Sequence, residues 1–389
     1  MSPVDALVAA ARARTGLVDL GADSWHEGLT ALLDGADEAA TFNELGIAVL
    51  HDQAVGLLST RLSVEDWYRR HPEIDDQVVP APLVGLGLPR TGSTALSFLL
   101  AQDRRSRSLS TWEADQPTPP PEPATYETDP RIAEAAVRIS LIDEMAPRFK
   151  VMLPSSPTGP TECLQLLALD FRSAMFGALG DNRGYERWLA TCDMVPGYEY
   201  HERVLKLLQW RFPPRPWRLK SPAHMGSIAD LVEVYPDARF VMTHRDITQV
   251  IPSLVSLFDA TSEMLRTGPL APDFAANQAA IWEHALRTTL AYRDDGHEDR
   301  FFDIDFADLQ VDPLAEVGRL YDWLGVELSE DVTAAMLDWW AANPPDKQGA
   351  HEYRPEDHGI DVDALTRQFA FYNERFARPR GSRPRGARS

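Results

Sequence analysis

Residues 82–100, PLVGLGLPRTGSTALSFLL, change character in mid-course: an apolar run, a tight turn carrying glycine, then a second apolar run of a different period. Three more short apolar runs follow, WRLK at 217–220, ARFVMTH at 238–244 and RFFDIDF at 300–306, each succeeded by a helix-like segment. Short apolar runs of this kind look like buried parallel strands, and the order implies βαβ units. The expected fold is therefore α/β, a P-loop-like central parallel sheet flanked by helices, with ligands at the carboxyl ends of its strands.

Around that core the chain divides into three further parts. Residues 1–75 carry helix-spaced apolar positions, Trp25, Leu29, Leu32 and Leu33, then Leu45, Val49 and Val55, and read as a helical N-terminal extension. The α/β domain spans 76–377 and holds a helical insertion at 115–215, which opens on DQPTPPPEPA and continues with helix patterns near 131–146 and 199–212. Its Phe171, Met175, Phe176, Trp188 and Tyr198 either line an apolar ligand site or form the core of a helical subdomain. Residues 378–389, rich in Arg, Pro and Gly, read as a disordered basic tail.

Charge narrows the ligands. A net charge of −21 over 389 residues argues against a general nucleic-acid binder, so an anionic ligand needs a local basic pocket. No run approaches the roughly eighteen apolar residues of a membrane span, and the arginines near the N-terminus follow their short apolar stretch instead of preceding a long one. These features predict a cytoplasmic protein with at most peripheral membrane contact, its two cysteines, Cys163 and Cys192, reduced.

Three elements carry chemistry. Gly87 and Gly92 have the GxxxxG spacing of a phosphate loop between a strand and a helix, whose amides and N-terminus favour an anion. The lysine expected after the second glycine of an NTPase is absent: Ser93 and Thr94 follow, and the cation, Arg90, lies inside the loop. In FVMTHRDITQVIPSL, Arg245 emerges at a strand end and Ser253 follows eight positions later, within about a quarter turn of the same helix face. A guanidinium and a hydroxyl that converge suit a phosphate monoester; a surface Arg245–Asp246 ion pair is the plain alternative. In WRLKSPAHM, Ser221 and Pro222 form an N-cap and first-turn pair, which leaves Lys220 at a strand's carboxyl end beside the cleft.

PRTGST at 89–94 resembles the 5′-phosphosulfate loop of sulfotransferases that use 3′-phosphoadenosine 5′-phosphosulfate (PAPS), and RDITQVIPS at 245–253 is similar to their 3′-phosphate motif. The resemblance runs from about residue 80 to 355, and the N-terminal helices resemble those of a bacterial, largely actinobacterial, branch. It implies transfer of a sulfonate group from PAPS to an acceptor hydroxyl, with release of PAP. It also implies that Arg90, Thr91, Gly92, Ser93 and Thr94 hold the phosphosulfate, and that Arg245 and Ser253 hold the 3′-phosphate. Lys347, in DKQGAHEYRPEDHGI, matches a further 3′-phosphate contact on a closing segment, although the family's arginine-lysine-glycine form is not reproduced.

Lys220 lies at the family's interval before Arg245 and is expected, with Arg90, to meet charge that builds on the leaving phosphate. For the base, Glu113 in LSTWEADQP lies at about the family distance from the phosphate loop and is preferred over His224. Ser110 and Glu113 also have capping-box spacing, which the prolines from Pro117 onward weaken by leaving little helix to cap. Sulfonate carries less charge than a transferring phosphoryl group, so lysine and arginine suffice and no metal is required. The expected partner is a small-molecule hydroxyl acceptor that is lipid, sterol, quinone or polyketide-like. A P-loop kinase or NTPase using Asp303 or Asp305 to hold magnesium, and a noncatalytic PAP-binding protein, are the competing classes.

Overall fold

The computed structural model describes residues 2–39, 41–145, 155–344 and 359–376. Five parallel strands, β1 (Leu83–Gly87), β2 (Arg107–Ser108), β3 (Trp217–Lys220), β4 (Arg239–His244) and β5 (Phe301–Asp305), form one sheet in the order β2-β3-β1-β4-β5. β1 lies at the centre, with Leu83 opposite Arg218 of β3 on one side and Arg239 of β4 on the other. Successive strand residues serve opposite faces: Val84, Phe240 and Met242 enter the large core, while Leu83, Val241 and Ile304 enter a second one on the other side. Both faces are covered, as the fully buried run LVGLG of β1 requires. β2 escaped the sequence reading because two residues show no period.

The close fit around β1 depends on two glycines. Gly87 has φ +116°, and a Cβ there would lie 2.4 Å from the Thr243 carbonyl oxygen. We expect Gly87→Ala to cost about 1–3 kcal/mol from backbone strain alone, read as a lower urea midpoint. Gly85 faces β3, where a Cβ would come 3.0 Å from Lys220 Cγ, so its missing side chain makes room for that lysine's stem.

The N-terminal helices are α1 (Pro3–Thr15), α2 (Ser24–Ala39) and α3 (Glu44–Arg70). Trp25, Leu29, Leu32 and Leu33 are buried as their spacing predicts. In α3 the buried line is Leu50, Ala54, Leu58 and Leu62, four residues apart, which leaves Leu45 exposed and Val49 half-buried. The insertion's helices include Pro130–Met145 and Val195–Gln209, close to the predicted bounds. Phe171 and Phe176 pack into the core of the N-terminal helices, Tyr198 joins the main core, and Met175 and Trp188 pack at the edge. These five residues serve as packing, shared between two cores.

A buried ion network joins extension to insertion. Arg61, on α3, donates to the carbonyls of Leu20, Ala22 and Leu169 and to Asp170 Oδ1 at 3.0 Å, with both ionic side chains fully buried. Asp170 Oδ2 accepts from Arg172 at 2.6 Å, and Ser24 donates its hydroxyl to Asp170 from α2.

Candidate active site

Three strand ends and one helix start build the site. β1 delivers the loop Leu88–Gly92, after which the helix Ser93–Leu100 begins. Gly92, at φ +89° and pressed against the Phe306 ring, gives that helix no side-chain cap, so its first-turn N–H groups keep their affinity for an anion. Arg90 is held at φ +68°, a left-handed conformation that a non-glycine residue adopts only when its surroundings impose it. Thr91 is part of what imposes it. Its hydroxyl donates to the Leu88 carbonyl at 2.6 Å and also lies 2.6 Å from Thr243 Oγ1, in full burial. The Thr91 side chain thus shapes the loop from beneath.

The β4 motif meets this loop from the neighbouring strand. Arg245 donates to the Arg90 carbonyl at 2.9 Å and lies over the Phe306 ring, 4.4 Å from its centroid. Arg90 Nε donates to Ser253 Oγ at 3.2 Å, on the helix Ile247–Ser262, so both ends of the eight-residue spacing meet Arg90. Asp246 is not paired with Arg245 but caps that helix by accepting from the Thr248 backbone N–H at 2.9 Å. Two guanidinium groups and a hydroxyl therefore converge beside the helix N-terminus, a layout suited to an anion with more than one phosphate.

Lys220 arrives from β3, its side chain 7% exposed. Its Nζ donates to Glu162 Oε1 at 2.6 Å and to Thr94 Oγ1 at 3.4 Å, which puts the ammonium at the first turn of the phosphate-loop helix. Ser221 caps a six-residue 3₁₀ segment, Pro222–Ser227, which leads into the helix Ile228–Val234.

Both expected proton acceptors have other employment. Glu113 is fully buried; one oxygen pairs with Arg107 and the other accepts the Ser110 backbone N–H at 3.2 Å. It completes a capping box on Thr111–Asp115, so a helix of five residues is enough despite the prolines. His224 is buried, its Nδ1 2.9 Å from the Tyr198 hydroxyl, and burial pushes its pKa down to about 3. An imidazole so hard to protonate gives little driving force for removing a hydroxyl proton. Glu162, unmarked by any local motif, is the carboxylate in contact with the lysine.

The magnesium-holding candidates are engaged as well. Asp303 takes two hydrogen bonds from Arg293, at 2.9 and 2.7 Å, and faces His244 Nε2 at 2.7 Å, which together hold its carboxyl well below the usual range against the effect of burial. Asp305 caps the helix Phe306–Val311. Lys347 and the tail at 378–389 lie outside the described residues.

A family model, described as the sulfotransferase family, matches residues 82–330, from β1 through β5 and the helices beyond it. The chain belongs to the sulfotransferase family. This sulfotransferase has a TM-score of 0.89 to the crystal structure of sulfotransferase STF9 from Mycobacterium avium, at 32% identity with 97% of each chain covered. To sulfotransferase STF1 from Mycobacterium tuberculosis the TM-score is 0.81 at 30% identity, covering 95% of this chain and 99% of that one. Both likenesses extend over the N-terminal helices as well as the sheet. Among curated relatives, omega-hydroxy-beta-dihydromenaquinone-9 sulfotransferase Stf3 of Mycobacterium bovis is 29% identical over 149 residues, which is 36% of this chain and 37% of that relative's length.

Proposed function

We propose that the enzyme transfers a sulfonate group from PAPS to the hydroxyl of a hydrophobic small molecule. The observation that carries this is the convergence of Lys220, Thr94, Arg90, Arg245 and Ser253 around an uncapped helix N-terminus. The donor's 5′-phosphosulfate lies against the amides of the turn from Gly92 to Thr94, with Arg90 beside it, and its 3′-phosphate lies on Arg245 and Ser253. As the S–O bond breaks, charge grows on the bridging oxygen, and the Lys220 ammonium stands at the same helix turn to meet it. The hydrophobic alcohol handled by Stf3, as its name describes it, supports an acceptor of that class here.

Calorimetric titration with PAP, and in parallel with ATP and magnesium, tests the donor. PAP is expected to bind and Arg245→Ala to weaken it about tenfold or more, since a hydrogen bond to a charged group contributes roughly 1.5–3 kcal/mol. Binding of ATP without PAP would overturn the reading in favour of a nucleotide kinase or NTPase. For the acceptor, transfer to soluble sugars with none to a panel of lipid, sterol, quinone and polyketide alcohols would refute the hydrophobic class.

A further inference from the structure

We infer that Glu162 removes the acceptor's proton and that its ion pair with Lys220 couples this step to departure of the leaving group. The inference rests on the sulfonate-transfer reading above and assigns it a residue. Glu162 Oε1 lies 2.6 Å from Lys220 Nζ, and its side chain is 27% exposed against 7% for the lysine, so the carboxylate is the more open member of the pair. Thr94 Oγ1, on the other side of the ammonium, belongs to the helix turn that receives the sulfonate end of the donor. A hydroxyl attacking that sulfur from the open side meets a carboxylate already in place.

The backbone fixes that position. Glu162 belongs to a segment pinned by four hydrogen bonds: Trp112 N–H to the Pro157 carbonyl, Thr111 N–H to Gly159, Thr161 N–H to Leu109, and Cys163 N–H to the carbonyl of Lys220 itself. Gly159 fits directly under the Phe98 ring, where a Cβ would come within 2.5 Å, which secures the segment against the phosphate-loop helix. A carboxylate held this way keeps its geometry through the reaction, as effective proton transfer requires.

The step balances as follows. The acceptor oxygen bonds to sulfur as its proton passes to Glu162. The bond from sulfur to the bridging oxygen breaks, and its electron pair leaves with PAP. Protonation removes the negative charge that holds Lys220 on the acidic side, just as new negative charge appears on the leaving oxygen. The ammonium exchanges one anion for the other, so proton removal and bond cleavage assist each other.

The test compares wild type, Glu162→Gln, Glu162→Asp and Glu113→Gln for PAP affinity by calorimetry and for PAPS turnover. Turnover is followed with farnesol as a hydrophobic alcohol and, where farnesol is not sulfonated, by hydrolysis of PAPS with water as the acceptor. Glu162→Gln is expected to lose kcat by about 10²–10⁴-fold, with PAP affinity within about threefold to show an intact donor site, and Glu162→Asp to recover part of the loss. Glu113→Gln, in every preparation that binds PAP, is expected to keep kcat within about tenfold. Glu162→Gln with kcat near wild type overturns the assignment, and a collapse of kcat in Glu113→Gln alone returns the role to that residue. Wild type that binds no PAP, or binds it without any turnover, overturns the underlying sulfonate-transfer reading and this assignment with it.

Discussion

Lys220→Ala is expected to lower kcat for sulfonate transfer by about 10²–10³-fold, the usual consequence of removing one preorganised donor from developing charge. PAP affinity should stay within about threefold, because in the proposed site the nucleotide is held by the helix turn, Arg90, Arg245 and Ser253. The split arises from where the charge appears: in the ground state Glu162 already neutralises the ammonium at 2.6 Å, and only the transition state offers it a second anion. Lys220→Arg should recover little, since a planar guanidinium does not reproduce the compact ammonium's contacts with Glu162 Oε1 at 2.6 Å and Thr94 Oγ1 at 3.4 Å. Steady-state rates with PAPS, alongside calorimetry with PAP, check both halves. A variant that loses PAP affinity as steeply as kcat would make Lys220 a binding residue.

The second large effect concerns stability. Asp170→Ala is expected to destabilise the fold by about 3–5 kcal/mol, because it leaves the buried Arg61 without its counter-charge, while Arg172 keeps its pair with Glu27 at 2.8 Å. Asp170 is fully buried and accepts from Arg61 through one oxygen and Arg172 through the other. The carbonyls of Leu20, Ala22 and Leu169 still satisfy donors of Arg61 but supply only partial charge. Asp170→Asn, which keeps an acceptor and loses the charge, should fall between. Urea unfolding measures the size of the effect, and hydrogen exchange in α2 and α3 should show loosening there before the sheet responds. A loss below about 1 kcal/mol would mean that the three carbonyls alone satisfy Arg61.

What the sequence disclosed follows the range of the interactions concerned. The strands and phosphate loop were legible because buried apolar runs and a turn needing Gly87 and Gly92 are local patterns, and the Arg245-to-Ser253 spacing needs only helical geometry. Glu162 was not, because its partner is Lys220, 58 residues away, and nothing in TECLQ marks a site. Glu113 is the converse case. Its capping-box spacing was visible, yet the prolines seemed to leave no helix, and the buried Arg107 that completes its surroundings was not marked as a partner by any local pattern. Thr91 sits in a recognisable loop, but only the fold shows that its hydroxyl points at Thr243 on another strand.

The central place of β1 has a consequence for biosynthesis. Leu83 takes its neighbours from residues 218 and 239, so the strand leaves the ribosome long before either partner exists. Until then LVGLG presents two unsatisfied backbone edges and an apolar surface, the features that draw nascent chains into aggregation. The N-terminal helices emerge first, but part of their core, including Phe171, Phe176 and Tyr185, is also still to come. Early protection must therefore come from outside the chain, and yields in heterologous cells should respond more to chaperone supply and slower translation than to further stabilisation of the finished sheet.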